Sequence, residues 1–247
     1  MGTSRAARSS RGAAAPAAGS GAAESGATAL GATAPGGTSY LTLRAGEEAA
    51  GEFVDRKSRF IAQLAHVEGE DDAAEFVATV RARHYDARHN VPTWILADGR
   101  ERASDDGEPQ RTAGAPTLEV LRGAGLANVC CVVTRYFGGT LLGPGGLVRA
   151  YATAAQRALS DARERGLLVE MTLVTHVEAR VPYAMLDRVR DLAVRSGARE
   201  TGADYAADVT LHLAFRAGEE AAFVDSMREL ANGRDLCEVA APRFAEL

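Results

Sequence analysis

Three cysteines, Cys130, Cys131 and Cys237, are all that this 247-residue chain carries. That is too few for a disulfide framework or a structural zinc site. Long apolar runs are missing too: no stretch of 18 residues is free of polar side chains, which excludes a membrane-spanning helix. The first residues lack the compact apolar core of a secretory signal, because Gly, Ser, Thr and Pro interrupt them throughout. A reducing cytoplasm is the compartment expected. An excess of basic charge is also absent, with 28 Lys and Arg against 33 Asp and Glu and a net charge of −5. The broad positive field of a nucleic-acid binder is therefore lacking, and any phosphate contact has to be local. Only five histidines occur, none at i, i+4 beside a glutamate, so a two-metal hydrolase set is not legible.

With 46% hydrophobic and 25% charged residues, the chain reads as an ordinary globular protein. Its charge is uneven: the balance is +2 over residues 1–38, −2 over 39–166 and −5 over 167–247. Residues 1–38 are almost wholly Ala, Gly, Ser, Thr, Pro and scattered Arg, which bury too little apolar surface to offset their ordering entropy. They are expected to form a disordered tail. Arg5, Arg8 and Arg11 would suit a nucleic-acid arm or a targeting peptide, and a mis-assigned translation start is a rival explanation.

From Ser39 the pattern becomes regular. Tyr40, Leu41 and Leu43 begin a strand, and Phe53 through Ala65 form a second extended segment. Asp71 or Asp72 is placed to cap a helix with Ala73, Phe76, Val77 and Val80 on one face. Val91–Ala97 reads as a strand, Asp98–Ala115 as a loop, and Pro116–Arg122 as a helix. The β-branched run Val129–Tyr136 suits a strand buried on both faces. A long helix follows, near Gly145–Arg165, ended by Gly166. The last 81 residues read strand, helix, strand, strand, helix, strand, the ferredoxin-like βαββαβ order. There, Thr210 and His212 are expected on an open sheet face with Val174, His176, Glu178 and Arg180.

Two stretches carry most of the chemistry. The first is Ser104-Asp105-Asp106-Gly107-Glu108-Pro109 with Thr112-Ala113-Gly114 after it. Its carboxylates are of the type that binds Mg²⁺, yet neighbours in one loop seldom complete a coordination sphere. Capping of the next helix, or pairing with Lys57, Arg59 or Arg135, is the preferred reading. The second stretch is Val133-Thr134-Arg135-Tyr136-Phe137 followed by a turn holding Gly138, Gly139, Gly143, Gly145 and Gly146. Side-chain-free backbone at a helix start makes an anion site, to which Arg135 and Arg149 would add charge-assisted contacts. The same glycines would also serve tight strand–helix packing. The turn lacks the Gly-Lys-Ser/Thr of a P-loop. Tyr136 and Phe137 would either stack on a base or lie in the core, and the core is preferred for Phe137. Cys130 and Cys131 lie in an apolar strand and are expected to be inert.

Together these stretches resemble the IMPACT/YigZ family, with Lys57-Ser58-Arg59-Phe60-Ile61-Ala62 fitting its early strand motif and His89 standing where it carries a histidine. The chain departs from the family at Gln110-Arg111, where a small residue and glycine are usual, and at Ala87-Arg88-His89-Asn90. The resemblance implies an α+β fold: an N-terminal domain like ribosomal protein S5 domain 2 over 39–166, then a smaller ferredoxin-like domain over 167–247. It also implies a role in regulating translation, as eukaryotic relatives do by competing for the activator of a starvation kinase. No catalytic residue, metal ligand or cofactor carries over.

The expectation is a non-catalytic protein that binds RNA, the ribosome or a translation-related protein. Its proposed surface is Lys57, Arg59, Arg135, Arg149 and the glycine turn, supported by Asp105, Asp106, Glu108, His89 and Tyr136. The alternative is a nucleotide-binding enzyme or nucleotide sensor using the same turn.

Overall fold

The computed structural model describes residues 38–247, so the expected tail lies, except for Thr38, outside the described residues. The described residues begin with β1 (Ser39–Leu43) and the hairpin β2 (Glu48–Asp55) and β3 (Ser58–His66). Next come α1 (Glu70–Arg83), β4 (His89–Ile95), β5 (Glu101–Ala103), α2 (Gly114–Gly123), β6 (Val129–Tyr136) and α3 (Gly143–Glu164). Five of these strands form an antiparallel sheet in the order β2-β3-β6-β4-β5.

The apolar run of β6 sits at the centre of that sheet and is buried on both faces. Val129, Cys131 and Val133 join Phe60, Leu64, Leu121 and Tyr151 in the core. Cys130 and Val132 point the other way, into a smaller cluster with Val80 and Trp94 under α1. Period-2 alternation thus serves two cores with one strand.

The expected single extended segment at Phe53–Ala65 is instead the tail of β2, a tight turn and β3, joined in register from Glu48↔Ala65 to Asp55↔Ser58. The turn residues Arg56 and Lys57 have φ of 46° and 66°. A two-residue turn needs left-handed backbone, and neither residue advertises it. The expected 98–115 loop contains β5, and α2 begins at Gly114, two residues before the expected start. At α1 the cap is Gly69, with no side-chain bond; Asp72 instead accepts the Glu68 N–H.

The second sheet is built on β7 (Leu168–Val181) with β8 (Arg199–Tyr205), β9 (Val209–Arg216), β10 (Cys237–Val239) and β11 (Arg243–Glu246). The order β10-β7-β9-β8, all antiparallel, is that of the split βαββαβ unit. Helices α4 (Leu186–Arg195) and α5 (Glu220–Leu230) cover one face, with Val189, Phe223 and Met227 packed on Val177, Leu211, Leu213 and Phe215. This is the α+β architecture expected. One strand crosses the boundary drawn at 166/167: β1 pairs with the start of β7, Ser39 opposite Thr172 and Leu43 opposite Leu168. Meanwhile Tyr40 and Leu43 enter the core of the first sheet.

The outer edge of β2 would be open to another strand, and α3 closes it with side chains. Asp161 accepts the Ala50 N–H at 3.0 Å, Arg157 donates to the Glu52 carbonyl at 2.5 Å, and Arg165 donates to the Glu48 carbonyl at 2.8 Å. Close approach of the helix depends on Gly51, where an added Cβ would lie 2.2 Å from the Ala158 nitrogen. Replacing Arg157, Asp161 and Arg165 together by alanine should lower stability by only about 2 kcal/mol, these being exposed bonds, yet bring on aggregation during heating. Light scattering alongside the melt separates the two effects, and an unchanged aggregation onset would refute the edge-sealing role.

Candidate functional site

The acidic loop is a staple rather than a cup of free carboxylates. Asp105 accepts the N–H groups of Ala113 (3.0 Å), Gly114 (2.9 Å) and Arg111 (2.6 Å), capping α2 from outside its own sequence neighbourhood. Asp106 accepts the Asn90 N–H at 2.8 Å and pairs with Arg81 at 2.9 Å. His89 Nδ1 donates to the Asp106 carbonyl at 2.7 Å. Each carboxylate is thus consumed by protein donors. Among the described residues no group of three His, Cys, Asp or Glu is arranged to hold a metal ion.

Glu108 turns inward and meets Arg135. The guanidinium Nη1 donates to Glu108 Oε1 at 2.6 Å, the Tyr151 hydroxyl donates to the same oxygen at 2.8 Å, and His89 Nε2 lies 3.9 Å away. The pair's side chains are only 6% and 3% exposed. Arg135 also lies against the rings of Phe60 and Phe137, at 5.4 and 5.5 Å. This corrects the reading of Arg135 as a solvent-facing cation. In β6 it continues the Val129, Cys131, Val133 face, which α3 covers. Phe137, assigned to the core, is instead 41% exposed, with Arg88 at 5.8 Å from its ring. Burial, and next the Glu108 charge, push the Tyr151 hydroxyl pKa upward.

The glycine turn itself faces solvent. Gly139, Gly143 and Gly145 are exposed, with Leu141 fully out at 80%. Gly138 and Gly146 are half-buried; Gly146 lies against Leu142, and Gly138 packs on the β2–β3 hairpin. A Cβ there would fall 2.1 Å from the Lys57 carbonyl carbon, and its N–H donates to Ser58 Oγ at 3.1 Å. That contact brings Lys57 beside the turn. Helix α3 starts with Pro144 in its first turn, no side-chain cap and no acidic residue there, so its leading N–H groups have no carboxylate partner of their own.

The other predicted residues divide. Arg149 stays 69% exposed with Asp55 at 3.5 Å, and so remains at the turn. Arg59 is held by both oxygens of Glu52 at 2.7 and 2.8 Å. Tyr136 lies with His84 and Asp86, on the α1 side of the sheet. Two cations escaped the sequence reading: Arg88, and Arg56, which donates to the Leu141 carbonyl at 3.3 Å. One signal was available at the hairpin, since Lys57 is the only lysine in the chain.

On the second sheet the expected face is assembled in part, with Glu178 opposite His212 and Arg180 opposite Thr210, whereas Val174, expected to be open, is buried. His212 sits between Asp204 (2.8 Å) and Glu178 (3.4 Å), and the Asp204 hydrogen bond raises its pKa. A shallow cavity of about 540 Å³ adjoins it, bounded by His176, Thr201 and Arg243 among others. Burial pushes the Cys131 thiol up to about 12 and Cys130 higher still, so neither is a thiolate nucleophile at neutral pH. No helix among the described residues is long and apolar enough to cross a membrane.

Residues 56–159 match the Impact N-terminal domain, and residues 180–234 match a domain of unknown function (DUF1949). The chain is 37% identical to IMPACT family member YvyE of Bacillus subtilis over 79% of its own length and 88% of the relative's. It is equally identical to IMPACT family member YigZ of Escherichia coli, over 72% and 87%. A solved structure described as a hypothetical protein is 35% identical, with a TM-score of 0.52, covering 82% of this chain and 97% of the other.

Two stability outcomes follow from the loop. Arg135→Met should cost about 3–5 kcal/mol by stranding a buried carboxylate, and adding Glu108→Gln should restore a good part of it. Chemical denaturation of both variants checks this, and a merely additive double would contradict the pairing. Arg111 holds φ at 62°, left-handed backbone that favours glycine, so Arg111→Gly should gain roughly 1 kcal/mol. A lower melting temperature for that variant would count against backbone strain there.

Proposed function

The chain belongs to the IMPACT family, and from that premise we propose that it is a non-catalytic regulator associated with translation. It meets RNA, the ribosome or a translation-linked protein through the turn between β6 and α3. One observation carries this reading: the first turn of a 22-residue helix is open, uncapped and free of carboxylates, while Lys57 and Arg149 stand exposed beside it. The dipole end and its N–H groups favour an anion. Lys57 makes no ion pair among the described residues, and the Arg149 contact with Asp55 is long. Both cations can therefore be redirected to a phosphate or carboxylate at little cost.

Arg135 supports this surface from beneath, by holding Phe137. Reversing its charge would test the fold, so Lys57 and Arg149 are the residues to change.

In the double variant Lys57→Glu, Arg149→Glu, co-sedimentation with ribosomes or total RNA should fall at least tenfold while the melting temperature stays within about 2 °C. For the parent protein, log affinity should drop with log salt, by about 0.7–0.9 for each phosphate neutralised. Full binding by the double variant removes the proposal. A several-degree thermal shift with ATP or GTP, in place of RNA binding, would favour the nucleotide sensor.

A further inference from the structure

On the other side of β6 from Arg135, a hydrogen-bonded chain crosses the sheet surface at the end of α1. His84, the residue that closes α1, has both ring nitrogens engaged: Nε2 is 3.1 Å from Gln63 Oε1, and Nδ1 is 3.0 Å from the Tyr136 hydroxyl. That hydroxyl is also 3.2 Å from Asp86 Oδ1. A phenol has one proton to give, and here two acceptors compete for it.

The Gln63 amide oxygen can only accept, so His84 Nε2 carries a hydrogen in every state. With the imidazole neutral, Nδ1 is a bare acceptor and takes the phenol proton, leaving Asp86 without a donor from Tyr136. With the imidazole charged, Nδ1–H becomes a donor, the phenol oxygen accepts from it, and the phenol proton is released toward Asp86. We propose that Tyr136 is a one-proton switch, its hydroxyl bonded to His84 when the ring is neutral and to Asp86 when the ring is charged. One N–H bond forms at Nδ1 with a proton taken from water, and the phenol O–H bond stays intact as the hydroxyl rotates.

The switch acts on the 84–88 segment. Ala87 N–H bonds back to the His84 carbonyl, Arg88 N–H bonds to the Arg135 carbonyl at 3.2 Å, and the Arg88 guanidinium lies over Phe137. A charge-assisted bond from Tyr136 to Asp86 fastens that segment to the end of β6 in acid and loosens it above the transition.

The charged groups around His84 come from several elements: Arg59 on β3, Arg83 at the end of α1, Asp86 after it, and Tyr136 on β6. Glu48 on β2 is bound to Arg83, and Tyr85 lies near Tyr136. Burial, then Arg59 and Arg83, lower the His84 pKa from the ordinary 6.5, and Asp86 opposes them. A depressed histidine gives the folded state a penalty that grows as pH falls through the unfolded value and is complete below the folded one. The bond to Asp86 lessens it.

The test is a titration of His84 by nitrogen-15 NMR in the full chain, in the parent, Asp86→Asn, Tyr136→Phe and the double variant. At neutral pH the parent ring should be the Nε2–H tautomer. Asp86→Asn should lower its midpoint by roughly half a unit in the parent background, through loss of an anion that favours the cation. In the Tyr136→Phe background the shift should be less than half as large. An Nδ1–H tautomer, or equal shifts in both backgrounds, overturns the switch. The tautomer reading needs no variant, so the proposal stays testable even if Tyr136→Phe fails to fold.

Discussion

A single buried ion pair organises the five-stranded sheet. Glu108 and Arg135 lie where an unpaired charge of either sign would be costly, so neither is tolerable without the other. Their pairing draws the 104–112 loop down onto β6, brings Tyr151 of α3 into the same contact, and lets Asp105 reach the start of α2. One interior charge pair thus fixes the relation of a central strand, two helices and a long connection. It also sets where Phe137 emerges, because the guanidinium is packed against that ring.

Much of this was legible in the residues. The β6 run, both long helical stripes and a βαββαβ order after residue 166 follow from periodicity, and the structure bears them out within a few residues, with one unexpected strand, β11, added after them. Three features were not legible, each for a physical reason. The β2–β3 turn uses Arg56 and Lys57 in left-handed backbone, which carries no Gly or Asn signal. The start of α2 is set by a carboxylate eight or nine residues upstream, outside any local capping pattern. The burial of Arg135 depends on Glu108, 27 positions away, and sequence alone shows an arginine at the mouth of a glycine turn.

The candidate surface was legible in part for the same reason. Glycines report where backbone is bare, and the turn they mark is exposed. Cations report only that charge exists, and partners decide whether it is offered outward. Arg59 is taken by Glu52 and Arg135 by Glu108, leaving Lys57 and Arg149 more available. Charge in the second sheet is spent similarly: His212 is flanked by two carboxylates, so that face has little net attraction for phosphate.

The pairing of β1 with β7 has a bearing on how the chain is made. Residues 39–43 leave the ribosome early, yet the strand they bond to begins only at Leu168. Leu41 bonds to Gly125 and Ala127 on its other side, but at a synthesis rate of about 5–20 residues per second the side of β1 that faces β7 waits on the order of ten seconds for its partners. During that interval the five-stranded sheet is being completed while its first apolar strand has nothing to bond along one side. The late arrival of β7 then closes both lobes in a single event, a long-range closure of the kind that slows folding.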